Sequence, residues 1–355
     1  MPLKNTITKQ DLAAIISADI GWQQFNNKRV LITGANGFLP AYMVETLLYL
    51  NNCYENFHVE VVALVRNKEK ALRRFIDYAA DGHLFFIEQD VCDEIKIESG
   101  VDFIIHAASQ ASPKYYGKDP VGTLSANVLG TINLMKLAQA KKVTSFLYFS
   151  SGEIYGHLED KAFPVVEDNY GYIDPLNVRS CYGESKRMGE TICVSWYHQY
   201  GVNVKIVRPF HTYGPGMMLD DGRVYADFVS NILHKENIVL NSDGSARRAF
   251  CYLADATVGF FTVLLKGDNG VAYNVGNPTE EYSIVELANI LITLNPELNL
   301  KVVMQLPEKN SDAYLQSPLS RNTPDIKKIN SIGWSPTTTA KEGFTKTINS
   351  FINNQ

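Results

Sequence analysis

Short apolar runs alternate with longer amphipathic stretches over the first 208 residues of the chain. Lys28–Thr33 (KRVLIT), His58–Val65 (HVEVVALV), Leu84–Ile87, Val101–His106 (VDFIIH), Ser145–Ser150 (SFLYFS) and Val202–Arg208 (VNVKIVR) have strand length and few polar breaks. Runs of this kind predict strands buried on both faces, as in a parallel sheet. Phe38–Leu50, Asp119–Ala140 and Ser180–Tyr200 carry helical spacing between them. The alternation predicts an α/β fold built on a doubly wound parallel sheet. Residues 1–27 read as a helical N-terminal extension and 28–208 as the sheet domain. After residue 209 shorter strands, Asn237–Leu240 and Ala272–Val275, are interleaved with helices at Ser283–Leu294 and Thr339–Ile352. This predicts a smaller C-terminal α/β lobe, over 209–355, packed on the first.

Composition narrows the class of ligand. The 355 residues are 45% hydrophobic and 20% charged, enough apolar material for a full core. A net charge of −5 argues against a nucleic-acid partner, whose proteins usually carry a basic excess. The cysteines at 53, 92, 181, 193 and 251 include no CxxC pair, so neither a disulfide framework nor a metal site is expected. No segment resembles a signal peptide or a membrane span, and a cytoplasmic protein is expected.

The first strand runs into Thr33-Gly34-Ala35-Asn36-Gly37-Phe38-Leu39-Pro40. Gly34 and Gly37 permit a tight turn and close backbone approach to a diphosphate, and the following helix offers its N–H groups. With Asn36, Phe38 and Leu39, they form a candidate dinucleotide site on a Rossmann sheet. The end of the second strand chooses between NAD and NADP, because an acid there binds a ribose 2′-hydroxyl and an arginine a 2′-phosphate. Arg66 stands at that point and leans toward NADP(H), unless it stacks on the adenine or is simply solvated. Asp90 and Val91 are candidates for the adenine pocket, and Ala107 and Ala108 leave room for the cofactor backbone.

Tyr182 and Lys186 form a YxxxK pair, one helical turn apart on one face. A cationic lysine beside a phenol is expected to lower its pKa so that it exchanges a proton with a sugar hydroxyl. Ser151, at the end of the strand that closes with Phe149 and Ser150, is expected beside Tyr182.

These motifs resemble the extended short-chain dehydrogenase/reductases, in the nucleotide-sugar epimerase/dehydratase group, over about 28–351. The nearest subgroup is the UDP-glucuronate decarboxylases. The matching stretches are Ala111-Ser112-Pro113, Asp174–Glu190, Thr212-Tyr213-Gly214-Pro215, Asp221–Val224, Arg248-Ala249-Phe250 and Pro324–Lys328 before Gly333-Trp334. The resemblance implies oxidation of a nucleotide-sugar, with a UDP-sugar favoured, at C4 to a keto intermediate. It also implies Ser151, Tyr182 and Lys186 as the hydride-transfer residues, Glu153 acting near C5, Arg223 and Arg248 near the substrate, and a homodimer. The sequence departs from the subgroup at Gly152 in place of Ser, His211 in place of Asn and Gly216 in place of Arg. A dehydratase of this group carries an Asp before the Glu, so Gly152 points away from dehydration.

Alternatives remain at this stage. Arg66 and Gly216 suit an NADPH-dependent reductase of a 4-keto-6-deoxy nucleotide-sugar, an epimerase or 4,6-dehydratase shares the frame, and a non-catalytic NAD(P)-binding sensor could use the same fold. Ser109 and Lys114 are further substrate-binding candidates. His211 is either an acid/base or a hydrogen-bonding partner of backbone or Lys186, and Asp221 with Arg223 either clamps the diphosphate or caps a turn.

Overall fold

A computed structural model describes residues 5–305 and 320–352. The strands, in chain order, are β1 (Lys28–Thr33), β2 (Val59–Val65), β3 (Leu84–Glu88), β4 (Phe103–His106), β5 (Ser145–Phe149), β6 (Val204–Pro209), β7 (His211–Tyr213), β8 (Ile238–Leu240), β9 (Arg247–Tyr252), β10 (Val271–Val275), β11 (Glu281–Ser283), β12 (Val302–Met304) and β13 (Arg321–Asn322). The helices are α1 (Thr6–Ser17), α2 (Phe38–Cys53), α3 (Lys68–Arg74), α4 (Pro113–Tyr116), α5 (Pro120–Lys141), α6 (Ser180–Tyr200), α7 (Val224–His234), α8 (Leu253–Lys266), α9 (Ile284–Thr293), α10 (Lys327–Asn330) and α11 (Ala340–Ile352).

A seven-stranded sheet in the order β10-β6-β5-β4-β1-β2-β3, parallel throughout, forms the large layer. Its strands are apolar at successive positions because both faces are covered. Val30 and Ile32 of β1 pack in a cluster with Leu12 of α1, Leu47 of α2 and Phe261 of α8. Leu31 between them joins Leu134 of α5 and Ile192 of α6 in the cluster on the other face. The boundary expected at residue 209 does not separate the two sheets. Val271–Val275, read as part of the second lobe, pairs with β6 and is an edge strand of the large sheet. Its apolar residues fit either layer, and only long-range pairing decides.

The N-terminal segment is docked rather than appended. The Asn5 side chain caps α1 by accepting from the Thr8 N–H at 3.0 Å, and Leu12, Ile15, Trp22 and Phe25 are buried in the main core. Asp11, also buried, accepts from the Tyr42 and Tyr252 hydroxyls at 3.2 and 2.6 Å and pairs with Lys346 at 3.3 Å. That set ties α1 to α2, β9 and α11.

The chain crosses to a smaller sheet through a single residue, Phe210, between β6 and β7. There β9 is flanked by β11, antiparallel, and by β7 and β13, both parallel, while β8 and β12 pair separately. Below this crossing, Arg208 is buried and donates to both Glu190 carboxylate oxygens (2.9 and 2.7 Å), the Tyr155 and Tyr170 hydroxyls and the Glu167 carbonyl. Every guanidinium N–H is thereby used. Among the described residues no helix is long and apolar enough to cross a membrane.

Candidate active site

The C-terminal ends of the large sheet's strands open on a cavity of about 1480 Å³, walled on its other side by β7, β9 and α7. Successive connections leave β1 toward β2 on one side and β4 toward β5 on the other, the place where an open α/β sheet leaves a crevice for a ligand. A pocket for one small molecule is roughly 300–1,000 Å³, so this one has room for two ligands side by side.

The first wall is the turn from β1 to α2. Gly34 has φ +63°, and a Cβ there would stand 2.8 Å from the Ala108 Cα, so both the conformation and the close approach to β4 require glycine. Thr33 Oγ1 accepts from the Ala108 N–H at 3.2 Å and lies 2.9 Å from His106 Nδ1, which ties the ends of β1 and β4 together. Burial pushes His106 down to about 3, and its other ring nitrogen meets the Thr131 hydroxyl at 3.1 Å, so this histidine is a neutral strut. Gly37 caps α2 without a side chain and leaves the first-turn N–H groups of Phe38 and Leu39 unpaired within the helix, beside the cavity. Pro40, in that turn, sacrifices no bond. Asn36, Asp90, Val91 and Ala107 line the same end of the cavity. Arg66 does too, exposed at the end of β2 and without an ion pair among the described residues. This cradle of open N–H donors and small residues fits a dinucleotide diphosphate.

The second wall joins the turn after β5 to α6. Ser151 Oγ accepts from the Glu153 N–H at 3.2 Å and starts a 3-10 turn, Gly152–Tyr155, that turns Glu153 into the cavity. Tyr182 and Lys186 project from the first turns of α6 beside it. Burial pushes the Tyr182 phenol up, the Ser151 hydrogen bond and the Arg223 charge pull it back, and Glu153 pushes it further up. The expected lowering by Lys186 is not the governing effect. The Lys186 ammonium donates to the Phe149 carbonyl at 2.6 Å, sits 5.8 Å from the Tyr182 ring centroid, and is itself pushed down to about 7 by burial. Desolvation is the largest effect on each group.

Two neighbours complete this wall: Tyr116, expected from the sequence to touch sugar or phosphate or else to be an exposed loop residue, and Arg179, which the sequence reading left without a role. Tyr116 stacks on Tyr182, with centroids 5.0 Å apart and planes at 15°. Arg179 pairs with Glu153 (Nη1 to Oε2, 3.2 Å) and lies over the Tyr116 ring at 5.7 Å. Its place three residues before Tyr182 was the available signal, since that spacing shares a helix face. A Cβ at Gly152 would stand 3.3 Å from the Phe210 ring, a tight contact that the ring would have to relieve by a few tenths of an ångström.

On the third wall, Arg223 pairs with Asp221 at 2.5 Å and donates to the Ala111 carbonyl at 2.9 Å. Asp221 also accepts from the Arg223 N–H at 2.8 Å, so its turn-capping role is realised. His211, Arg248 and Ser109 line the cavity as well. Lys114 does not. Its Nζ turns away to Asp220, bonding the backbone carbonyl at 3.2 Å and the carboxylate at 3.4 Å. The partner expected for His211 is also missing, because its Nδ1 is buried without a hydrogen bond. Arg74, paired with Glu45 at 2.8 Å, and Asn322 also line the cavity.

The fold and this arrangement define the class. The NAD dependent epimerase/dehydratase family matches residues 30–276, and the chain belongs to it. Among its relatives, UDP-glucuronic acid decarboxylase 5 of Arabidopsis thaliana is 36% identical over 326 residues, covering 90% of this chain and 87% of the relative. UDP-glucuronic acid decarboxylase 1 of Danio rerio is 34% identical over 330 residues, covering 92% and 73%. The fold is that of UDP-glucose 4-epimerase from Thermotoga maritima with UDP-glucose (TM-score 0.79, 22% identity, 92% of this chain and 99% of that one). It is likewise that of UDP-glucuronic acid 4-epimerase from Bacillus cereus in complex with UDP-glucuronic acid and NAD (TM-score 0.73, 21% identity, 92% and 100%).

Proposed function

We propose that this chain acts on a nucleotide-sugar through oxidation at C4 to a keto intermediate, in the manner of a UDP-glucuronate decarboxylase. The observation that carries the reading is the convergence of Ser151, Tyr182, Lys186 and the Arg179-held Glu153 on one cavity with room for a dinucleotide and a nucleotide-sugar. Gly34, Asn36, Gly37, Phe38 and Leu39 would hold the cofactor diphosphate. Arg66, Asp90 and Val91 would meet the adenosine, Ala107 and Ala108 would leave room for the backbone, and Tyr182 and Lys186 would meet the nicotinamide end. When bound, a nicotinamide dinucleotide supplies the hydride acceptor and donor.

The chain's own residues handle protons. Ser151 orients the C4 hydroxyl, and Tyr182 takes its proton as the phenolate, the form that the Ser151 hydrogen bond and the Arg223 charge favour against burial. The resulting 4-keto group stands β to the C6 carboxylate. The C5–C6 bond then breaks, its electron pair passes toward the keto oxygen, and CO₂ leaves. Glu153, oriented by Arg179, holds the water that returns a proton to C5. Expelling a C6 hydroxyl would instead need an acid beside Glu153, an aid of about 10²–10⁴-fold. Gly152 supplies none, and a Cβ there would stand 3.3 Å from the Phe210 ring. Arg223, Arg248, His211 and Ser109 would face the nucleotide-sugar.

Incubation with UDP-glucuronate and either NAD⁺ or NADP⁺ is expected to release CO₂ and a UDP-pentose. No reaction with cofactor bound would sink the decarboxylase reading. A second reading is favoured by Arg66, exposed and without an ion pair among the described residues, and by Gly216, which offers no side chain to a carboxylate. It is net NADPH-dependent reduction of a 4-keto-6-deoxy nucleotide-sugar, detected as NADPH consumption. On either reading Arg66 favours NADP(H). Arg66→Ala is expected to weaken NADPH binding on the order of tenfold, the loss of a charge-assisted hydrogen bond, with NADH little changed. An unaltered ratio of the two affinities would assign Arg66 to the solvent.

We also propose a homodimer through α5 and α6. Leu124, Leu129, Met188, Val194 and Tyr200 stay exposed on these adjacent helices, and light scattering of a monomer at micromolar concentration would overturn it.

A further inference from the structure

Tyr116 closes α4, and its ring is only 2% exposed. Its hydroxyl donates to the Ala111 carbonyl at 3.1 Å, and the same carbonyl accepts from Arg223 Nη2 at 2.9 Å. The start of α4 is tied to the smaller lobe as well, since the Ser112 hydroxyl at its N-cap donates to the Asp221 carbonyl. The ring is thus anchored through its hydroxyl and through its backbone before it meets α6. There it carries two loads. The Tyr182 ring stacks on it 5.0 Å away at 15°. The Arg179 guanidinium lies 5.7 Å from its centroid, within reach of the attraction between a cation and a ring face. Arg179 has little else to hold it. Its Nη1 pairs with Glu153 at 3.2 Å, and its Nε is buried with no hydrogen-bond partner among the described residues. A guanidinium fixed by one carboxylate oxygen pivots about that bond unless a second contact stops it, and the Tyr116 ring is that contact. Tyr182 therefore rests on Tyr116 directly, and Glu153 rests on it through Arg179.

We propose that Tyr116 is a positioning residue that holds Tyr182, which serves C4, and Glu153, which serves C5, at a fixed spacing. The inference rests on the C4-oxidation reading above. C4 and C5 are bonded neighbours in the sugar ring, so the two proton-handling groups must stand a set distance apart. They come from different elements, Tyr182 from α6 and Glu153 from the turn after β5, and their spacing needs a common support. Displacement of a reacting set by about 1 Å costs on the order of 10²-fold in rate. The groups that face the Tyr182 phenol are Ser151 and Glu153 from the turn after β5, Lys186 from α6, Tyr116 from α4 and Arg223 from the segment before α7. Of these, Tyr116 is the one that meets Tyr182 and Arg179 alike. It also covers a face of the phenol, so it contributes to the burial that pushes Tyr182 up.

The test compares Tyr116→Phe, which keeps the ring, with Tyr116→Leu, which removes it, in the cofactor-loaded protein with the nucleotide-sugar that the parent converts. Tyr116→Leu is expected to lower kcat about 10–10²-fold with KM within about threefold, and Tyr116→Phe to stay within about threefold of the parent. The limb of kcat/KM that rises with pH should move to lower pH in Tyr116→Leu alone, because water reaching the uncovered phenol relieves its burial. A mere loss of folded protein lowers activity without moving that limb. A readout free of turnover is ¹³C NMR of protein labelled at tyrosine Cζ, with the Tyr182 signal assigned by its absence in Tyr182→Phe. That signal is expected to be single in the parent and in Tyr116→Phe, and broadened or divided in Tyr116→Leu. Should Tyr116→Leu fold poorly, Tyr116→Met refills the space with a flexible chain and carries the same expectations. A kcat in Tyr116→Leu within about threefold of the parent, or a lowered kcat with both the limb and the Tyr182 signal unmoved, would overturn the proposal while the C4-oxidation reading stands. A parent that converts no nucleotide-sugar would sink that reading. The Tyr182 signal then decides alone: unaltered in Tyr116→Leu, it ends the positioning role too, and divided, it upholds Tyr116 as the support of Tyr182.

Discussion

Tyr182→Phe is expected to lower turnover by about 10²–10⁴-fold or more, the contribution of a positioned general acid–base. Cofactor binding and fold should survive. The Tyr116 stack, with centroids 5.0 Å apart, needs only the ring, and Phe keeps it. The lost hydroxyl belongs to a phenol that burial already disfavours as an anion. Thermal stability is therefore expected to be unchanged or slightly raised. This combination separates catalysis from scaffolding, because a protein that merely senses the dinucleotide has no turnover for the substitution to remove. Stopped assays of the substrate converted by the parent protein, alongside cofactor titration of the variant, check it. Full activity in the variant would remove Tyr182 from the mechanism.

Glu190→Gln is expected to be the most damaging of the changes to stability. Its carboxylate accepts from Arg208 at 2.9 and 2.7 Å, and the Arg208 side chain is only 2% exposed. Removing one partner of a buried pair leaves an uncompensated charge, at a cost of about 3–5 kcal/mol. For a chain of this size that corresponds to a drop of about 4–7 °C in unfolding midpoint. The amide can still accept a hydrogen bond but does not neutralise Arg208. A second consequence reaches the site. Glu190 stands one helical turn after Lys186, and its charge supports the Lys186 ammonium against burial. Activity should fall at pH 7 even in the fraction that remains folded. Thermal unfolding followed by circular dichroism decides the first effect, and a loss below about 1 kcal/mol would mean that water reaches Arg208.

Strand and helix positions were largely legible in the sequence, because burial on both faces of a sheet imposes unbroken apolar runs. The limits of α6, Ser180–Tyr200, coincide with the reading, and Gly201 in the left-handed conformation ends that helix. The Gly34–Gly37 turn and the Tyr182–Lys186 pair were legible for a related reason. A close backbone approach and a shared helix face are local demands, met within four residues. Membership of the epimerase/dehydratase class followed from those motifs in that order.

Other features depend on which distant segments meet, and no local pattern encodes that. The return of β10 to the large sheet rests on its pairing with β6, more than sixty residues earlier. Lys114 bonds Asp220, more than a hundred residues later in the chain, and does not line the cavity. Tertiary packing alone set the Arg179–Glu153 pair, the Phe210 ring against Gly152 and the unpartnered His211. It also pushed the Tyr182 phenol up where a neighbouring lysine was expected to lower it, since desolvation depends on everything that surrounds a group and not on its neighbours in the chain. The residue types for C4 chemistry were thus written into the sequence. Their charge states and the shape of the space around the sugar came from packing, which acts over distances that sequence spacing does not record.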